Sequence, residues 1–340
     1  MPPSPFAGRD APLFGRRQRR ARGPRLPVIV VTGFLGSGKT TLIRALIDRP
    51  EGAGTAIVVN EFGEIGIDQA LLRPSSDATV LLGQGCLCCE VRSDLQETLR
   101  ALFIDRSRGA VPSFARVIIE TSGLADPGPV LQTFASDRAL AGEFHLQALV
   151  TVIDAVTGAA NLARMPEARK QVALADRIVV TKTDLADQAQ IEALLAAIAQ
   201  LSTAPLRRAE NGAIDPAFLL DDPFERAELP GHSEEAHEHT HDLVSFSLIF
   251  AAPLPWRAFE QAMAMLTALR GADLLRVKGL VAIRECRGPV VVHYVQHVGH
   301  PPVELSEWPD ADRRSRLVFI TRGLARAPVE QLFAAVAALA

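Results

Sequence analysis

Residues 28–41 read V-I-V-V-T-G-F-L-G-S-G-K-T-T, a β-branched run that turns through glycines into Lys39 and a pair of threonines. Such a run suits a strand buried on both faces. Gly33, Gly36, Ser37, Gly38, Lys39 and Thr40 then fall on the G-x-x-x-x-G-K-[ST] pattern of a P-loop, which joins a strand to a helix. The glycines let successive backbone N–H groups close around a β-phosphate, and the start of a helix expected over 39–48 adds a favourable dipole. Lys39 is placed to bridge β- and γ-phosphates and the Thr40 hydroxyl to bind Mg²⁺, with Thr41 counted among the nucleotide-binding residues.

Outward from this loop, V-I-V-V-T-G-F, T-A-I-V-V-N-E-F, A-R-V-I-I-E-T, L-V-T-V-I-D and D-R-I-V-V-T-K alternate with segments of helical period. Alternation of this kind implies a parallel sheet with crossover helices. Leu95, Leu99 and Leu102 share a helix face, and the Ser93/Gln96 pair forms a capping-box pattern, so a helix is expected over 93–103. Ile191, Leu194, Leu195 and Ile198 mark another over 190–201. The expected class is therefore α/β: a P-loop domain over 27–214, with a mainly parallel sheet and flanking helices. Residues 215–242, ending in G-H-S-E-E-A-H-E-H-T-H-D, lack apolar periodicity and read as a His-rich acidic linker. Over 243–340 an alternating run, a helix from Trp256 to Arg270, three further strand patterns and a last helix from Pro328 predict a smaller α+β domain. Its sheet is expected to be antiparallel, with helices on one face.

The chain has 340 residues, 48% hydrophobic and 22% charged, enough for two domains with cores. A net charge of −3 argues against nucleic acid as the main partner. No apolar run reaches the roughly 18 residues of a membrane helix, so no membrane partner is expected. Arg16, Arg17, Arg19, Arg20, Arg22 and Arg25 make residues 1–26 a basic tail, expected to be disordered, that superficially imitates an export signal. A nucleic-acid or membrane-surface arm is the alternative. Four cysteines, three of them crowded together, are too few for a disulfide scaffold and point to a reducing, cytoplasmic compartment.

Val117-Ile118-Ile119-Glu120 ends an apolar strand in a carboxylate suited to the second Mg²⁺-side position, and Gly123 can offer its N–H to a γ-phosphate. Leu124 stands where Ras-like GTPases place a water-orienting Gln, so unassisted hydrolysis is expected to be slow. Thr181-Lys182-Thr183-Asp184 resembles the guanine-selecting Asn-Lys-x-Asp signature. The Asp184 carboxylate can accept from the N1 and N2 edge of guanine, which adenine cannot supply, while the Lys182 stem packs along the base. Thr181 replaces the usual Asn, which leaves one loop-bracing hydrogen bond unaccounted for.

Cys86, Cys88 and Cys89 lie between the P-loop and Glu120, after a short strand expected over 79–82. Three thiolates so close can hold one Zn²⁺ or a similar ion but cannot close a four-sulfur cage, which suits handing metal on. Buried apolar cysteines or a redox pair are the alternatives, and Cys286 reads as an ordinary residue. Glu61 and Glu64, after the second strand, lie in the place of a switch loop. His232, His237, His239 and His241 form either a metal-collecting segment or a solvated linker. His293 and His297 share a strand face and are read as structural.

G-F-L-G-S-G-K-T-T, N-E-F-G-E-I-G-I-D, G-C-L-C-C, E-T-S-G-L-A-D-P, T-K-T-D and L-L-R-V-K-G together resemble the CobW-type family of metal-chaperone GTPases, colinearly from Val28 to the C-terminus. More broadly the chain is similar to the nickel-insertion GTPases of urease and hydrogenase maturation. The resemblance implies GTP hydrolysis, with zinc, cobalt or nickel held by Cys86, Cys88 and Cys89 and delivered to a client metalloprotein or metal-cofactor pathway enzyme. It also implies that Glu64 is a switch-loop acid that can join the metal. Some members carry a further acid where this chain has Val59, so an ancillary site there departs from the pattern. A monomer or a nucleotide-dependent homodimer is expected. A GTP-dependent metal or redox sensor that binds a partner without delivering metal is the alternative, and a small-molecule kinase a weaker one.

Overall fold

The computed structural model describes residues 25–60, 91–202, 204–221, 237–238, 243–295, 298–300 and 302–338. The chain divides into two compact units, one over 25–230 and one built on 231–340.

In the first unit, strand β1 (Leu26–Thr32) leads into helix α1 (Lys39–Ile47), followed by β2 (Thr55–Asn60), α2 (Val91–Arg108), β3 (Arg116–Thr121), α3 (Pro127–Ser136) and α4 (Arg138–Glu143). Then come β4 (Phe144–Asp154), α5 (Gly158–Arg164), α6 (Pro166–Ala173), β5 (Arg177–Thr181), α7 (Gln188–Leu201), β6 (Leu206–Ala209) and α8 (Pro216–Leu220). The six strands pair in the order β2-β3-β1-β4-β5-β6, all in parallel. Successive crossovers carry the chain first to one side of β1 and then to the other, the arrangement whose crevice binds ligands at the carboxyl ends of the strands. Register sets the functional segments along that edge: Val31 pairs with Glu120 and Thr32 with Thr151, while Asp154 pairs with Thr181. The central strands bury both faces, and Ile29, Val31, Ile118, Val150, Val152 and Val179 pack with Leu42 and Ile43 of α1.

Several expectations shift. Part of the linker expected over 215–242 is ordered: Pro216–Leu220 forms α8, and Phe218 and Leu219 join the first unit's core. Helix α2 begins at Val91, so Ser93 lies inside it rather than capping it. A cap is worth about 1 kcal/mol, less than the burial of the Leu95, Leu99 and Leu102 stripe, which the longer helix keeps. Strand β4 starts at Phe144, well before Leu149, because its backbone pairs with β1 from Leu26 onward whatever the polarity of His145 and Gln147.

The second unit contains β7 (His237–Glu238), β8 (Leu243–Phe250), α9 (Trp256–Arg270), β9 (Leu274–Val281), β10 (Val290–Val295), β11 (Val298–Gly299), β12 (Val303–Glu304), β13 (Ser315–Arg322) and α10 (Arg326–Ala338). Its sheet runs β11-β10-β9-β13-β8-β7, with β12 on β10, and is antiparallel. Phe246, Val277, Val292 and Phe319 on one face of the sheet form a core with Phe259 and Met263 of α9 and Phe333 of α10. Both helices therefore cover the same face.

Candidate functional site

The loop between β1 and α1 takes positive φ at three glycines, Gly33, Gly36 and Gly38. Gly33 has φ +146, and a Cβ there would lie 2.2 Å from the carbonyl oxygen of Val152, so strand β4 seats the first turn. Gly38 has φ +92 and begins α1 with no side-chain cap, leaving the helix's first N–H groups to an outside acceptor. Ser37 Oγ is buried in the same loop and has no partner among the described residues. An uncapped helix start, buried hydroxyl and left-handed glycines together fit a phosphate. Lys39 lies back across the loop, its Nζ donating to the carbonyls of Gly33 at 2.9 Å and Phe34 at 3.3 Å. Thr41 is exposed.

The Thr40 hydroxyl donates to Glu120 Oε1 at 2.6 Å. Glu120 is buried at the end of β3, where the apolar V-I-I run carries it to the sheet edge. Beyond it the Ser122 carbonyl accepts from the Ala125 N–H at 3.0 Å, folding the turn that presents Gly123. A Cβ on Gly123 would lie 2.7 Å from the Leu35 nitrogen, so this turn and the P-loop are in direct backbone contact. Leu35 and Leu124 are exposed beside it.

Thr181, at the end of β5, supplies the brace that its replacement of Asn left open. Its hydroxyl donates to the Ser37 carbonyl at 2.6 Å and lies 3.2 Å from that of Ile153. Lys182 follows in the left-handed region, φ +55. Its ammonium donates to the Gly36 carbonyl at 2.8 Å and to Asp154 Oδ2 at 2.5 Å. Its stem is thereby strapped across the loop, and Asp184 is left exposed two residues on.

Sequence reasoning missed two residues of this arrangement. Asp154 ends β4, pairs with Lys182, and accepts from the N–H groups of Val156 and Thr157 through Oδ1. A strand ending in Asp carries no motif, although its place on the strand after Glu120 was a usable signal. Gln171 on α6 donates to the carbonyls of Gly123 and Ala125, and no spacing in the sequence announces it.

The structure thus brings Gly33, Gly36, Ser37, Gly38, Lys39, Thr40, Glu120, Gly123, Thr181 and Lys182 together at one sheet edge. Cys86, Cys88, Cys89, Glu61 and Glu64 lie outside the described residues, as do the strand expected over 79–82, residues 1–24 of the tail expected over 1–26, and His232, His239, His241 and His297; Leu26, counted in that tail, opens β1. Among the described residues no three His, Cys, Asp or Glu side chains gather as a metal site, and no helix is long and apolar enough to cross a membrane. His237 enters β7, pairing with Ser245. His293 stacks on His300, ring centroids 4.5 Å apart. Cys286 is half-buried against the second unit's core; burial, helped by Glu304 and Glu285, pushes its thiol up to about 12, so it stays protonated and a poor metal ligand at neutral pH.

Comparison with known proteins extends this picture. Residues 27–206 match the family model described as CobW/HypB/UreG, nucleotide-binding domain, and residues 243–337 that of the cobalamin synthesis protein cobW C-terminal domain. The chain is 31% identical over 320 residues to the zinc chaperone YjiA of Escherichia coli K12, covering 92% of this chain and 98% of that protein. It is 33% identical over 301 residues to the zinc chaperone CobW of Pseudomonas aeruginosa, covering 76% of this chain and 77% of that one. The crystal structure of the Zn(II)-bound YjiA GTPase from E. coli superposes with a TM-score of 0.70 at 26% identity, covering 92% of this chain and 99% of that one.

Proposed function

This chain belongs to the CobW/HypB/UreG family, and from that premise we propose that it hydrolyses GTP and lets the nucleotide govern capture and release of a transition ion, zinc first, to a client protein. The observation that carries the reading is the 2.6 Å hydrogen bond between Thr40 and Glu120, residues 80 positions apart. It brings together a P-loop hydroxyl and the strand-end carboxylate that a nucleotide-bound cation requires. Mg²⁺, when bound, would be held by these two groups and would neutralise charge on the β- and γ-phosphates.

The chain's own residues do the rest. Glycine N–H groups and Lys39 bind the phosphates, and Asp184 accepts from N1 and N2 of guanine. Lys182, held by Asp154 and the Gly36 carbonyl, keeps the base edge and the phosphate edge in one register. The Gly123 N–H senses the γ-phosphate. Leu124 offers no group to orient water, so intrinsic hydrolysis is slow and a client is the natural trigger. Cys86, Cys88 and Cys89, joined by Glu64, take the cargo ion. They lie in sequence between the P-loop and Glu120, so a γ-phosphate that orders this stretch also sets the affinity of the thiolates. By reciprocity the ion then strengthens GTP binding by the same factor. The names of the E. coli and P. aeruginosa relatives support zinc as that ion.

Chelator competition for Zn²⁺, with Mg²⁺ plus a non-hydrolysable GTP analogue and again with Mg²⁺ plus GDP, tests this on the wild type and Cys88→Ser. Tighter zinc binding in the GTP-like state, lost with Cys88→Ser, is the expected result. Equal affinity in both states would remove the switch and favour a sensor or scaffold.

A further inference from the structure

Helix α6 has no part in the nucleotide motifs, yet it holds the turn that follows Glu120 from behind. Gln171 is 1% exposed. Its Nε2 donates to the Gly123 carbonyl at 3.2 Å and to the Ala125 carbonyl at 3.1 Å. Carbonyls only accept, so the amide nitrogen is the atom that must face them. Gln171's backbone carbonyl accepts from the Thr151 hydroxyl of β4 at 2.7 Å, which fixes this stretch of helix to the sheet. One residue earlier, Lys170 Nζ reaches Asp126 Oδ2 at 2.5 Å, and Asp126 Oδ1 caps α3 by accepting from the Gly128 N–H at 2.8 Å. Adjacent residues of α6 thus grip both ends of the segment 123–126. On its other side Gly123 abuts the Leu35 nitrogen, and Gln171 and Ser37 line one small cavity together with Phe34 and Leu35.

We infer that Gln171 is the positioning residue of the γ-phosphate-sensing turn: its amide holds the Gly123 and Ala125 carbonyls so that the Gly123 N–H faces the phosphate. The Gly123 N–H shares its peptide plane with the Ser122 carbonyl, which the Ala125 N–H holds; fixing the Gly123 and Ala125 carbonyls to α6 keeps the rest of the turn from rotating about that plane. Ser122 adds the Ala125 N–H bond to its carbonyl at 3.0 Å and a longer one from the Leu124 N–H to its Oγ at 3.5 Å, both within the turn, which close it without anchoring it to the body of the unit. A buried side chain donating twice supplies that anchor, and Oε1, which has no partner among the described residues, marks how far the amide is committed to the two carbonyls.

This inference rests on the reading that Gly123 senses the γ-phosphate, and the test separates the two. Affinities for a fluorescent GDP and a fluorescent non-hydrolysable GTP analogue, both with Mg²⁺, are measured for wild type and for Gln171→Met, which keeps length and volume but cannot donate. The expected result is a GDP affinity within about twofold of wild type and a loss of about tenfold in affinity for the analogue, the scale of a hydrogen bond or two. Lys170→Met, changed at a partly exposed pair, is expected to move the ratio in the same direction by a smaller factor, and it decides the matter if Gln171→Met does not fold. A merely structural role would lower both affinities together. Parallel loss for both nucleotides, or an unchanged ratio in both variants, overturns the inference while the wild type still prefers the analogue. If the wild type shows no preference itself, the γ-phosphate reading fails and takes this inference with it.

Discussion

Thr181 shows how a hydroxyl can brace a loop at a position where the guanine-selecting signature carries Asn. An Asn braces such a loop with an amide; here a β-branched hydroxyl at the end of β5 reaches the Ser37 carbonyl directly, at 2.6 Å. The bond is buried and joins the turn over 181–184 to the loop that opens α1, so removing it leaves the Ser37 carbonyl without that donor. Thr181→Ala is expected to lower stability by about 1–2 kcal/mol and to weaken GDP binding, whereas Thr181→Ser restores most of both. Thermal unfolding with a nucleotide titration on the two variants checks this, and equal behaviour of Ala and Ser would remove the brace from the account. The motif residues were legible because their chemistry is local. Glycines at fixed spacing dictate a loop, and a carboxylate ending an apolar run dictates a sheet-edge acid. Asp154 offered only its place at a strand end, and Gln171 offered nothing, because their partners lie on other elements and a glutamine in K-Q-V-A looks like any helix residue until the fold turns it inward.

Among elements, the long apolar strands of the first sheet and the helix over Trp256–Arg270 could be placed from periodicity alone. Short or polar ones could not. Strand β6 reads L-R-R-A with both arginines exposed, and it exists because its backbone completes the ladder of β5 rather than because of a side-chain pattern. The two-residue strands β11 and β12 arise in the same way, by pairing with β10. Helix α7 begins earlier than its apolar stripe suggests, at Gln188, since Asp187 accepts from the Gln190 N–H and Gln190 answers with its side chain. That reciprocal cap satisfies two helix-end donors. Asp187→Ala is accordingly expected to destabilise the first unit by about 1 kcal/mol without altering nucleotide affinity, a result that denaturant unfolding with and without GDP would reveal.

At the scale of the whole molecule the chain holds two unlike populations of thiol. Cys86, Cys88 and Cys89 are crowded in a motif, while Cys286 stands in the second unit with its pKa pushed up to about 12 by burial and by Glu304 and Glu285. The raised value means the folded state holds the proton more tightly than the unfolded chain. Its contribution to stability is therefore complete below about pH 9 and is lost as pH rises toward 12. Alkylation at pH 8, mapped by peptide mass, is expected to label the motif cysteines in metal-free protein and to spare Cys286; rapid labelling of Cys286 would contradict the burial. Saturating zinc is then expected to protect the motif cysteines and leave Cys286 as slow as before.

The strand order β2-β3-β1-β4-β5-β6 also has a consequence in time. Strand β1, which ends in the phosphate loop, is hydrogen-bonded on both sides by long parallel neighbours. Strand β5, which ends in the turn over 181–184, has only the four-residue β6 beyond it. Local opening in proteins favours weakly packed, exposed segments, so on this side of the sheet β6 is expected to open before β5 and β5 before β1. Amide exchange should run fastest at β6, slower at β5 and slowest at β1, and a departing nucleotide would be released at its guanine end while its phosphates are still gripped.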